Sequence, residues 1–107
     1  MAGGAPPTSL AALVHDTGGH LLSHIETAGS ALAELFSGIA LGITETTQER
    51  VVKALVQSTR ARVQRHPPGE AIIGRARRDA VRLALDFGTE RVLYSDCDHL
   101  LRWVTGN

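Results

Sequence analysis

Asp96 and Asp98 stand two apart, directly after the run Val92-Leu93-Tyr94-Ser95. Two neighbouring carboxylates repel each other, and each resists burial. A hard divalent cation placed between them removes both costs. Mg²⁺ and Mn²⁺ prefer oxygen ligands and are commonly held by one or two carboxylates together with phosphate oxygens. At the end of a core strand such a pair would bind a diphosphate through the metal and stabilise charge on a phosphate leaving group. The competing reading of D-x-D is a solvated turn whose acids face water. Cys97 lies between the two acids. Negative neighbours disfavour a thiolate, so it reads as a packing residue rather than a nucleophile.

The elements that must position these acids are read from apolar spacing. Ser9 to His15 is a continuous apolar run of strand length, followed by the turn residues Thr17, Gly18 and Gly19. From His20 to Phe36 the residues Leu21, Leu22, Ile25, Ala28, Leu32, Leu35 and Phe36 recur at helical spacing, and Gly29 within them costs about 1 kcal/mol relative to Ala. Ile39 to Thr44 is a second buried strand. Thr46 or Thr47 is placed to cap the next helix, whose apolar stripe is Val51, Val52, Leu55 and Val56. Ala61 to His66 alternates as a third strand, ended by Pro67-Pro68-Gly69. A third helix runs from Glu70 to Phe87, with Ile73, Ala76, Ala80, Leu83, Ala84 and Phe87 on its buried face. Arg75, Arg78, Asp79, Arg82 and Asp86 fall opposite, and Arg77 falls at the edge of the buried face. Gly88 is expected to close that helix. Arg91 to Ser95 forms the fourth strand.

Strands alternating with amphipathic helices predict an α/β fold: a three-layer, mainly parallel sheet of four strands with helices on both faces. In such sheets ligands sit outside the carboxyl ends of the strands, where the strand order reverses. With the order 3-2-1-4 that reversal lies between the first and fourth strands. His15-Asp16 would then meet Asp96-Cys97-Asp98 across the crevice.

Other patterns carry less. His20 and His24 are four apart on a helix, but no H-E-x-x-H signature accompanies them, so an exposed polar face is the plainer reading. Gly18-Gly19 falls short of the G-x-G-x-x-G of a dinucleotide enzyme, and no G-x-x-x-x-G-K-[ST] loop is present. Arg75, Arg78 and Arg82 interleave with Asp79 and Asp86 and have no aromatic partners for stacking on bases. Leu100, Leu101 and Trp103 read as anchors of the chain after the acids.

The chain of 107 residues is of single-domain length, and its 11 basic and 11 acidic residues cancel. No net field invites nucleic acid or an anionic membrane. One cysteine excludes an internal disulfide. No apolar run approaches the roughly 20 residues of a membrane span, and Met1 to Thr8 lacks the basic start of a signal peptide. The expectation is a loose tail over 1–8 followed by a cytoplasmic domain over 9–107.

The stretch "IGRARRDAVRLALDFGTERVLYSDCDHLLRW" (residues 73–103) resembles the donor-binding half of GT-A type glycosyltransferases, in the nucleotide-diphospho-sugar transferase superfamily. Members similar to it pair an "IG-x-ARR" helix with a "VLY-x-D-x-D-R-x-L-x-W" strand end. The resemblance extends from about Leu10 to Trp103. It implies that Asp96 and Asp98 hold Mn²⁺ or Mg²⁺ against the diphosphate of a UDP- or GDP-sugar. It implies that His15 and Asp16 border the nucleotide. An arginine of the helix faces the donor, either Arg77 or, one residue along, Arg78. His99 stands where the resembling pattern has Arg. The acceptor half of such an enzyme is lacking here, so catalysis by these residues alone is not expected. A truncated half would expose the edge of its last strand and self-associate through it. The alternatives left open are a non-catalytic α/β binding or interaction domain and, less favoured, a Rossmann-type nucleotide-binding protein.

Overall fold

The computed structural model describes residues 7–105, the side chains of Asp98, Arg102, Trp103 and Thr105 excepted. The chain alternates strand and helix throughout: β1 (Thr8–Val14), α1 (Leu22–Leu35), β2 (Gly38–Thr44), α2 (Glu49–Thr59), β3 (Arg62–His66), α3 (Glu70–Leu85), β4 (Arg91–Asp96) and α4 (Cys97–Thr105). The strands form one sheet in the order β3-β2-β1-β4, and every pairing is parallel. β1 and β2 lie in the centre and are buried almost along their length. That is why they read as unbroken apolar runs, whereas edge strand β3 is largely polar and has no fully buried residue.

The two faces of the sheet are filled differently. On one side α1, α2 and α4 pack large branched residues such as Leu32, Leu55 and Leu101 against Leu10, Leu41 and Ile43 of the sheet. On the other side α3 lies alone. It presents Ala76, Ala80 and Ala84 as its buried residues, and two of these meet Ala11 and Ala40 across the layer. Phe87, Val92 and Tyr94 fill the margin. Gly29 sits at the contact of α1 with α2, where a methyl group would collide with the Ser58 side chain. The helix-weakening glycine of the sequence is thus a site of close approach.

Some local expectations are corrected. Neither Thr46 nor Thr47 caps α2: the N-cap is Gln48, with no side-chain capping bond. The Thr47 hydroxyl is drawn instead to the Asp16 N–H (3.1 Å) and to the Thr44 hydroxyl (2.7 Å). α3 ends at Leu85 with cap Asp86, and the left-handed Gly88 (φ 70°) follows two residues after the cap. Ile73 lies on the sheet-facing stripe but is 37% exposed, because the first turns of α3 overhang the strand ends. Leu35, expected in the core stripe of α1, is 56% exposed at the last residue of the helix. After β4 the chain enters α4 without an intervening loop, and Cys97, Leu100 and Leu101 join the core. No helix among the described residues is long and apolar enough to cross a membrane.

Candidate functional site

The chain winds from β1 outward through β2 to β3, then crosses back to place β4 on the other flank of β1. The order therefore reverses between β1 and β4. A cavity of about 480 Å³ opens along the carboxyl edge of the sheet that includes this point. Each strand contributes to it: Val14 and His15 from the end of β1, Thr44 from β2, His66 from β3 and Asp96 from β4. The β3–α3 loop and the start of α3 close it from above through Gly69, Glu70, Ile73 and Arg77. Leu13, Leu21 and Ile73 make its apolar walls. Such a mixture of apolar walls and a few converging polar groups is typical of small-molecule sites.

At the β4 end three groups cluster. Tyr94 donates its hydroxyl to Asp96 Oδ1 at 3.3 Å. The Arg77 guanidinium lies 5.6 Å from the centre of the Tyr94 ring, within cation–π range. Burial raises the Tyr94 phenol above its usual range, and the Asp96 charge adds to this, while Arg77 opposes it. The tyrosine therefore stays protonated, keeping its hydroxyl as a donor to Asp96 while its ring meets Arg77. Among the described residues the ion pair is Arg65 with Glu49 at 2.6 Å, so no described carboxylate neutralises Arg77. Arg78 lies on α3 one residue further and is exposed; it borders a shallower depression with Arg77, Arg82 and Tyr94, not the main cavity.

At the β1 end His15 and Asp16 part ways. His15 is exposed and lines the cavity. Asp16 is only 4% exposed and turns inward. Its carboxylate accepts the N–H of His20 at 3.0 Å and of Leu21 at 2.8 Å, serving donors at the start of α1. Burial alone would raise this carboxyl, but the backbone N–H groups of Leu21, His20, Gly19 and Gly18 outweigh it and hold it below 3.8. Helix N-termini attract anions; here the chain's own carboxylate takes that place. Asp16 shapes the loop that carries His15 and does not line the cavity.

Two polar groups on the cavity floor escaped the sequence reading. Thr44 is buried and hydrogen-bonds His15 Nδ1 at 2.8 Å. His66 Nδ1 bonds the Pro67 carbonyl at 2.9 Å, and its Nε2 is buried with no partner. A buried acceptor left so costs about 1–3 kcal/mol, which marks it for explanation. Both lie at carboxyl ends of strands, so the rule that selected His15 and Asp96 would have found them had it been applied to β2 and β3.

Asp96 ends β4 and Asp98 is the second residue of α4, so the D-x-D pair straddles a strand–helix junction rather than a turn. The Asp98 side chain lies outside the described residues. Among the described residues no three His, Cys, Asp or Glu side chains converge as a metal cage. Asp96 alone fits a different mode: an exposed carboxylate on the cavity, suited to a hard cation that takes most of its oxygens from phosphate and water. Comparisons with known protein families, with curated proteins and with solved structures find no match for this chain.

Proposed function

We propose that the cavity binds a nucleotide-diphospho-sugar, in service of glycosyl transfer. The observation that carries this is the coincidence of the topological switch point with a cavity bearing Asp96 on one side and His15 on the other. The cavity volume of about 480 Å³ falls in the range of small-ligand sites. Asp96 and Asp98 would hold Mg²⁺ or Mn²⁺, which when bound supplies Lewis-acid stabilisation of a diphosphate. Arg77, steadied by Tyr94, offers a planar fork of donors to a phosphate or sugar oxygen. Ile73, Leu13 and Leu21 exclude water from one side.

The test is isothermal titration with UDP and GDP, with Mn²⁺ and then with EDTA. Binding that needs the metal and disappears in Asp98→Ala, with the fold unchanged, is the expected outcome. A folded protein that binds neither nucleotide would sink the reading and favour the second one, a non-catalytic α/β interaction domain. What favours that reading is the position of the acids, since Asp before and within the first turn of a helix is common for purely structural reasons.

A further inference from the structure

His15 and His66 face the same cavity, and each has one ring nitrogen engaged. Which nitrogen of a neutral imidazole carries the proton is set by the bond the other makes. The Pro67 carbonyl can only accept, so His66 Nδ1 is the donor of that 2.9 Å bond. In the neutral ring Nε2 then carries a lone pair, and this is the buried atom without a partner.

The opposite holds at His15. The Asp16 N–H donates to the Thr47 hydroxyl oxygen, which contacts the Thr44 hydroxyl, which contacts His15 Nδ1. Thr44 and Thr47 are both buried. Only one direction gives every hydroxyl proton in this relay an acceptor: Thr47 to Thr44, and Thr44 to His15. His15 Nδ1 therefore accepts, and its proton sits on Nε2. Thr44 holds one ring by this bond and is the register partner of the strand residue bearing the other.

We infer that His15 and His66 form a specificity pair locked in opposite tautomers, a fixed donor and a fixed acceptor, that selects a planar ligand edge carrying an acceptor beside an N–H. Thr44 and Thr47 are the positioning residues that set the donor. The chemistry is that of the –CO–NH– edge of an oxo-nucleobase, as in uracil or guanine. This assignment rests on the sugar-nucleotide reading of the cavity. The space over Gly42, beside the His66 ring, is filled by Leu13: a Cβ there would lie 3.7 Å from His66 Nε2 but only 2.6 Å from Leu13 Cδ2. For a ligand edge to meet the buried Nε2 a neighbouring side chain must move, and Leu13, half-buried and lining the same cavity, is the one that adjoins Gly42.

Imidazole nitrogen NMR spectra at about pH 8, above the usual histidine range, test the tautomers with no ligand present. The expected result is the proton on Nδ1 of His66 and on Nε2 of His15. The same tautomer in both rings, or an Nε2-protonated His66, overturns the inference. Titration with UDP, GDP and their ring-N-methylated analogues, with Mn²⁺, then tests the ligand class. Whichever base binds should lose at least tenfold in affinity on methylation. Thr44→Val should weaken the unmethylated nucleotide several-fold, and His15→Gln, which keeps an N–H near the Nε2 position, should weaken it less than His15→Ala. Equal binding of a nucleotide and its methylated form overturns the specificity pair while leaving the sugar-nucleotide reading intact. Failure of all four to bind overturns that reading and the ligand assignment together.

Discussion

The two faces of the sheet solve the same packing problem with different side chains. The face under α1, α2 and α4 is filled by leucine, isoleucine and valine from three helices. The face under α3 is covered by one helix whose buried residues are alanines. Small residues let a helix axis approach a sheet closely, and they give up buried apolar area in exchange. The thick face supplies the stability. The thin face leaves the strand ends partly open, and the cavity lies where α3 overhangs them.

This contrast can be broken from either side. Leu55→Ala, in the thick face, should cost about 2–5 kcal/mol by cavity formation, read from urea unfolding. Ala80→Leu, in the thin face, should cost about 1–3 kcal/mol for the opposite reason, because the gap between α3 and the sheet is already filled. It should also lift α3 and weaken any ligand, a loss that Leu55→Ala does not share. If Ala80→Leu is neutral, the thin face is loosely packed and the contrast fails.

Asp16→Ala should cost about 0.5–2 kcal/mol, since the His20 and Leu21 N–H groups leading into α1 lose their partner. The folded carboxyl is held below its ordinary 3.8. Its stabilisation is therefore complete above that value and is lost as pH falls through the depressed one. Wild type and Asp16→Ala should converge in stability on acidification and differ most near neutrality. The smallest effect is expected for Glu49→Ala. Its partner Arg65 is 41% exposed and Glu49 itself 62%, so the loss should stay under about 1 kcal/mol and shrink with salt.

The architecture was legible because buried parallel strands write unbroken apolar runs. β1 and β2 differ from their expected bounds by a residue, and the assumed order 3-2-1-4 is the one found. α4 was less legible. Its residues read as an anchor, and a helix of nine residues directly after a strand leaves no turn signal to announce it. Thr47 has the identity and place of a cap, but a tertiary bond to Asp16 outbids the local one. In the site, His15 and Asp96 could be placed at the cavity from topology, whereas Arg77 came only from the resemblance, as one of two candidate arginines. Asp16 could not be told from a ligand-facing acid, because whether a carboxylate turns outward or back onto its own helix depends on the loop geometry. His66 carried no motif, and its place at the carboxyl end of β3 was the one signal in the sequence; its unpaired nitrogen emerges only from the fold.

The anchoring of α3 has a consequence for motion. Both of its ends run into left-handed glycines, Gly69 (φ 120°) and Gly88 (φ 70°), and nothing crowds either one. A helix held by alanines and flanked by permissive joints has a low free energy of local opening. Its amides should exchange with deuterium sooner than those of α1, whose face is wedged by Ile25 and Leu32. The roof of the cavity then lifts at lower cost than α1 on the opposite face, so ligand entry need not disturb the three helices packed there.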